Sequence, residues 1–139
     1  MKRILVTCLV TAVALGVVSC GSGPVRKADK AYEEAQQTQQ GDQRRLLEKE
    51  AYMNYKRAVN TNPDKIKPRV RNRYVEMALV RANLILHEGG LNYEAVPLLE
   101  DEIETHWSPE LSDQNKNDYA EFLVALADSN LEHSDISTA

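Results

Sequence analysis

The side chains of this chain that could do chemistry are few, and their spacing narrows what that chemistry can be. It has two cysteines and three histidines in 139 residues. His87-Glu88 begins as a two-histidine metal-binding helix would, but Gly89 and Gly90 follow and Asn92 stands five residues on. The second ligand is missing and the glycines end the helix. His106 and His133 lie near the expected helix ends and read as solvated surface histidines. No glycine-rich phosphate loop and no Ser-His-Asp order with supporting motifs occurs. The reading is therefore of a non-enzyme, with no metal. What remains is Cys20, which closes the apolar run Ile4–Val18 behind Lys2 and Arg3.

A positive start, an apolar run broken only by Thr7, Thr11 and Gly16, and the close Val17-Val18-Ser19-Cys20 resemble a bacterial lipoprotein signal peptide. Val17 and Ser19 depart from the usual Leu, small, Gly or Ala, Cys pattern. The resemblance implies a signal peptide over residues 1–19 and a diacylglycerol and acyl lipid on Cys20, with no other cofactor. Gly21, where an Asp would retain the protein in the inner membrane, implies the outer membrane facing the periplasm. A single membrane-spanning anchor is the competing reading. The run is shorter than the roughly twenty residues that a bilayer requires, and Gly21-Ser22-Gly23-Pro24 follows it. With Cys8 removed and Cys20 acylated, the folded part holds no thiol, which excludes disulfides, zinc-cysteine sites and cysteine nucleophiles.

Residues 20–27 read as a lipidated tether, 28–131 as one small helical domain and 132–139 as a flexible polar tail. The domain is rich in strong helix formers, and its apolar residues return every three or four positions. Five helices are predicted, over Ala28–Gln40, Asp42–Asn60, Lys67–Glu88, Tyr93–Thr105 and Ser112–Leu131. Gly41-Asp42, Asn62-Pro63-Asp64 with Pro68, Gly89-Gly90 and Ser108-Pro109 punctuate them. One Phe and one Trp point to an aliphatic, alanine-rich core in an all-α fold.

Short antiparallel helices joined by tight turns prompt a search for repeats. Ala51, Tyr55, Ala58 and Pro63 resemble the small, large, small, proline signature of the second helix of a tetratricopeptide repeat. Leu79, Ala82, Asn83 and Leu86, then Gly90, Ala95 and Leu99, repeat the theme. Glu102 stands where a small residue belongs, and Thr38 and Gln39 match weakly. The resemblance covers about Ala28–Trp107, with Tyr119, Phe122, Leu123 and Leu126 on a capping helix. It implies a short TPR-like array of helical hairpins; a five-helix bundle without repeat geometry is the alternative. About three repeats are commonly needed to bury a continuous core, so a homodimer is one expectation.

Charge is divided unevenly along the chain. Residues 20–87 carry 14 Lys and Arg against 8 Asp and Glu, while residues 88–139 carry Lys116 against 13 acidic residues. Lys65, Lys67, Arg69, Arg71 and Arg73 form the basic pole. Net negative charge and an envelope location argue against nucleic acid as a partner. On a helical wheel Arg69, Asn72, Arg73, Glu76, Asn83 and His87 share one polar stripe of the third helix, with Val80 among them. In helical-repeat domains that helix lines the concave groove, so the stripe is the expected binding surface for another envelope protein or peptide. The function expected is a membrane-anchored interaction scaffold. The alternative is an accessory lipoprotein that binds a small ligand or cell-wall fragment around Tyr74, Tyr93 and Trp107.

Overall fold

The computed structural model describes residues 23–88 and 95–136. The signal-peptide and lipidation readings, Cys20 included, lie outside the described residues, as do Gly90 and Tyr93; so does the side chain of His133. The described chain is all-helical: α1 Pro24–Gln37, α2 Gly41–Thr61, a 3₁₀ turn Pro63–Lys65, α3 Pro68–Glu88, α4 Ala95–Thr105 and α5 Asp113–Ile136. No helix among the described residues is long and apolar enough to cross a membrane.

Three boundaries correct the sequence reading. The tether was expected to run to Lys27, yet α1 begins at Pro24, because proline at the first helical position loses no hydrogen bond and presets φ. α1 also stops at Gln37 and not Gln40; Thr38 is extended and donates its N–H to Ala35 O. At the other end α5 continues to Ile136, through residues expected to be tail, because no Gly or Pro interrupts it. Its start is capped by Ser112, whose Oγ accepts the Asn115 N–H at 3.2 Å.

Small residues dictate how α1 and α2 meet. Ala28, Ala31 and Ala35 fall three and four apart on α1 and are buried, as are Ala51 and Ala58 on α2. Without bulk on this seam the two antiparallel helices approach closely, and Tyr55, fully buried, fills the space towards α3. α3 carries the densest apolar face, with Val70, Tyr74, Val75, Met77, Ala78, Leu79, Ala82 and Ile85 all buried. It packs against α2, α4 and α5. α4 returns along it, and past the end of α4 His106 meets the Tyr74 ring edge-on at 5.0 Å. His106 is thus half-buried, not a solvated surface residue; burial and then the nearby Arg71 charge lower its pKa, so its ring is neutral at pH 7. Glu102, the oversized residue of the repeat pattern, accepts hydrogen bonds at 2.8 Å from Tyr52 Oη and Lys56 Nζ, tying α4 to α2.

The helices fall into two rows. Arg73 Nη1 donates to Asp29 Oδ1 at 2.8 Å and Tyr32 Oη donates to Glu76 Oε1 at 2.9 Å, each pair 44 residues apart. A constant offset on successive turns means that α1 and α3 run parallel. α3 and α5 repeat the relation, with Asn115 Nδ2 donating to Asn72 O at 2.9 Å across 43 residues. α1, α3 and α5 therefore form one parallel row, and α2 and α4 run back along it.

Asp29 is where the first row is fastened. Its Oδ1 accepts from Tyr55 Oη at 2.6 Å and its Oδ2 from Arg69 Nη2 at 2.7 Å, besides the Arg73 bond. Burial alone would raise its pKa, but the hydrogen bonds from Tyr55, Arg69 and Arg73 outweigh it and hold the carboxyl below the usual range. A lowered folded-state pKa stabilises the fold above the unfolded value of about 4 and is lost as pH falls through the folded value. Asp29→Ala, which leaves the Tyr55 hydroxyl and Arg73 without this acceptor, is expected to cost about 2–4 kcal/mol in urea unfolding at pH 7. Arg69→Ala, at an exposed guanidinium, is expected to cost about 1 kcal/mol or less. The penalty of Asp29→Asn should shrink as pH drops below about 4.

Candidate functional site

The end of α1 opens a surface on α3. At the 44-residue offset Gln37 lies level with Arg81, so the last two turns of α3 extend past α1. There Met77, Val80 and Leu84, three and four residues apart, face the start of α2. With Leu46, itself 68% exposed, they floor a hollow of about 360 Å³. Its rim carries Arg45, Lys49 and Arg81, with Asp42 and Glu48 between them. A second hollow, of about 540 Å³, lies between α3 and α5 over Leu79, Val80 and Ala125. Its polar lining is Glu76, Asn83, His87, Asp118 and Glu121. A third, of about 370 Å³, over Arg44, Arg45, Val80, Asn83, Leu84 and His87, joins the two. Val80 lines all three and forms the ridge of one continuous furrow.

The two sides of the ridge differ in charge. Towards α2 the furrow carries both signs, Arg45, Lys49 and Arg81 with Asp42 and Glu48; Arg45 pairs with Glu88 at 2.8 Å at its edge, and Arg81 lies over the Tyr52 ring. Towards α5 it is acidic. Burial, and then the neighbouring Asp118 and Glu48, push the Glu76 carboxyl above its ordinary value despite the Tyr32 hydrogen bond and the Arg73 charge. The Tyr32 hydroxyl is pushed up to about 12, by burial first and then by Glu76, and so remains a donor at any physiological pH. No group of three His, Cys, Asp or Glu among the described residues could hold a metal ion.

The polar stripe expected to form one binding surface is divided by this geometry. Arg69 and Arg73 end on Asp29, and Arg73 also lies 4.4 Å over the Tyr32 ring. Glu76 accepts from Tyr32 while its far side reaches the furrow. Asn72 is a joint between α3 and α5: its Oδ1 accepts the Ser112 N–H at 2.6 Å and its Nδ2 donates to Glu110 O at 3.2 Å. Buried Asn115 completes that joint. Only Glu76, Asn83 and His87 of the stripe line the furrow, because α1 covers the first half of α3 and stops. The basic pole is reduced for the same reason. Lys65 and Lys67 stay exposed and Arg71 half-exposed, while Arg69 and Arg73 share the Asp29 carboxylate, with Glu33 3.6 Å from Arg73.

Of the aromatic residues proposed for a small ligand, Tyr93 lies outside the described residues. Tyr74 is buried and stacks on Tyr52, and Trp107 packs on Tyr119 at 5.1 Å. The chain matches no protein family model, no curated protein and no solved structure. The furrow is therefore judged on its own residues. Arg45, Leu46, Arg81, Leu84, Asp118 and Glu121 were not singled out in the sequence. A signal for two of them exists: Leu46-Leu47 and Leu84-Ile85-Leu86 place more adjacent apolar residues than one buried stripe can absorb.

Glu76 offers a test of the acidic wall. A carboxyl whose folded pKa is raised costs stability as pH rises through that range. Glu76→Gln, which keeps an acceptor for Tyr32, is expected to raise the urea midpoint at pH 7 and to match wild type below pH 4. A lower midpoint at pH 7 would show that the Arg73 charge outweighs burial.

Proposed function

We propose that this protein is a non-catalytic scaffold of the bacterial cell envelope, lipid-anchored through Cys20 at the outer membrane, that holds a segment of another envelope protein in the furrow over α3. The observation that carries the reading is the Val80 ridge, a partly exposed apolar floor between a wall of mixed charge and an acidic wall. Such a surface suits an amphipathic segment that sets one or two apolar side chains on Leu46, Val80 and Leu84 and basic groups towards the acidic wall of α5.

Parallel α1, α3 and α5 with α2 and α4 behind them support a TPR-like array of two hairpins and a cap. Its spacing of 43–44 residues exceeds the roughly 34 residues of a tetratricopeptide repeat. The 21-residue α2 accounts for part of the excess. On this reading the array has longer helices than that family, and they leave the end of α3 uncovered. Anchoring at Cys20 would present the furrow to partners on the same membrane.

Crosslinked pull-down from intact envelopes tests this. Leu46 is exposed, so Leu46→Glu should fold as wild type by circular dichroism, yet recovery of the partner should fall about tenfold or more; Leu84→Glu should act likewise. Cys20→Ala should fold and lose recovery from the membrane fraction. Undiminished recovery with both furrow variants would refute the furrow as the binding surface.

A further inference from the structure

Exposed cations gather at one end of the array, the end at which the chain enters it. α1 and α3 both start there and α2 finishes there. Pro24 and Lys27 of α1 line one hollow with Asn54, Arg57 and Thr61 of α2, and Arg69 of α3 reaches Asp29 in the second turn of α1. The 3₁₀ turn that ends in Lys65, with Lys67 beside it, joins α2 to α3 at the same end. Arg26, Lys27, Lys30, Arg57, Lys65 and Lys67 are all exposed. Among the described residues Lys30 reaches Glu34 at 3.7 Å, and the other five take part in no ion pair. Asp64 is the exposed acid set among them, and Glu33 and Glu34 lie a turn further along α1.

This placement works against the helices that carry it. Helix N-termini bear partial positive charge and are stabilised by acidic side chains, yet neither α1 nor α3 has an acidic residue in its first turn. α1 has Arg26 and Lys27 there, and α3 has Arg69 and Arg71. Cations at these positions give up stability and add to the positive potential of two helix ends. We infer that this end of the array lies on the anionic headgroups of the bilayer that holds the lipid anchor. The inference rests on the reading of Cys20 as the lipidated residue. Because α1 begins at Pro24 and not after Lys27, the chain from Cys20 to the first helical residue spans at most about 14 Å. Attraction between charges reaches about 8 Å in physiological salt, so a link this short keeps the basic end where it can act. Each Lys or Arg near an anionic surface strengthens binding about fivefold.

Seated this way, the row stands on its basic end, with the start of α2 and the end of α3 turned away from the bilayer. Glu104, Glu110 and Asp113 lie at the same end, on the side of α4 and α5. The contact is therefore made by the α1 and α2 side, and the row tilts towards it. Val80 follows Lys67 by 13 residues. At 1.5 Å per residue the furrow then stands about 20 Å above the headgroups. A partner on the same membrane would reach it with a segment that stands clear of the surface. The acidic half of a second copy offers the same charge as the headgroups, but nothing holds a second copy within a screening length, whereas the link to Cys20 holds the bilayer there.

The test uses the lipidated protein purified from membranes and reconstituted in vesicles of phosphatidylcholine, alone or mixed with phosphatidylglycerol, that carry a headgroup-linked quencher. A fluorophore on Asn60→Cys marks the basic end and one on Gln39→Cys the far end; both positions are exposed. Phosphatidylglycerol should deepen quenching severalfold at position 60 and leave position 39 little changed, and high salt should reverse the gain. Lys27→Glu with Arg57→Glu should cut the gain about tenfold or more, and Lys65→Glu with Lys67→Glu should act likewise. Arg44→Glu with Arg45→Glu, the same change of charge at the start of α2, should leave it in place. The inference is overturned by no gain at position 60, by an equal gain at both positions, by a gain that both basic-end variants keep, or by one that appears only when the protein is crowded on the vesicle. Flotation with vesicles of phosphatidylcholine alone reports the lipid on Cys20, so a failed anchor and a failed basic end are told apart.

Discussion

Three donors from two helices end on the carboxylate of Asp29, and the arrangement of the first row follows from that junction. α1 buries mainly alanines, all turned to α2. It therefore brings little apolar surface of its own to α3. What sets it parallel to α3 is polar: Asp29 with Tyr55, Arg69 and Arg73, and one turn later Tyr32 with Glu76. A half-buried carboxylate with several charge-assisted bonds is directional in a way that an alanine seam is not. It fixes which turn of α1 meets which turn of α3.

That register has a functional consequence. Because α1 is 14 residues long and α3 is 21, locking their first turns together leaves the end of α3 projecting. α2, antiparallel and as long as α3, supplies Leu46 and a wall of mixed charge. α5, tied to α3 by Asn72 and Asn115, supplies the acidic wall. The furrow is thus the difference in length between neighbouring helices, lined by whatever those neighbours present. Polar side chains that fasten α1 and α5 occupy the first half of α3 and those that face the furrow the second, and Glu76 takes part in both.

The helices themselves were legible in the sequence, because apolar spacing and Gly-Pro punctuation act over a few residues. Pro24 misled as part of a tether since proline starts helices as readily as it breaks loops. The polar stripe on α3 was legible only in part, for a different reason. A wheel shows that Arg69, Asn72 and Arg73 share a face, but not that Asp29, 40 and 44 residues before two of them, arrives there to pair with both arginines. Glu102 looked like a flaw in the repeat and proves to be the acceptor joining α2 and α4. Long-range polar pairing has no period in sequence, so it leaves no trace that composition or spacing reveals.

Native-state hydrogen exchange on the full-length chain tests most directly whether α1 is locked to α3. If the Asp29 and Glu76 junctions fasten the row, the amides of Ala28, Ala31 and Ala35 open with the same free energy as those of Val75, Ala78 and Ala82. Both sets should then show the same dependence on urea. If the α1 amides instead exchange through a separate opening, well below the stability of α3 and insensitive to urea, the junction does not hold the array and the account fails.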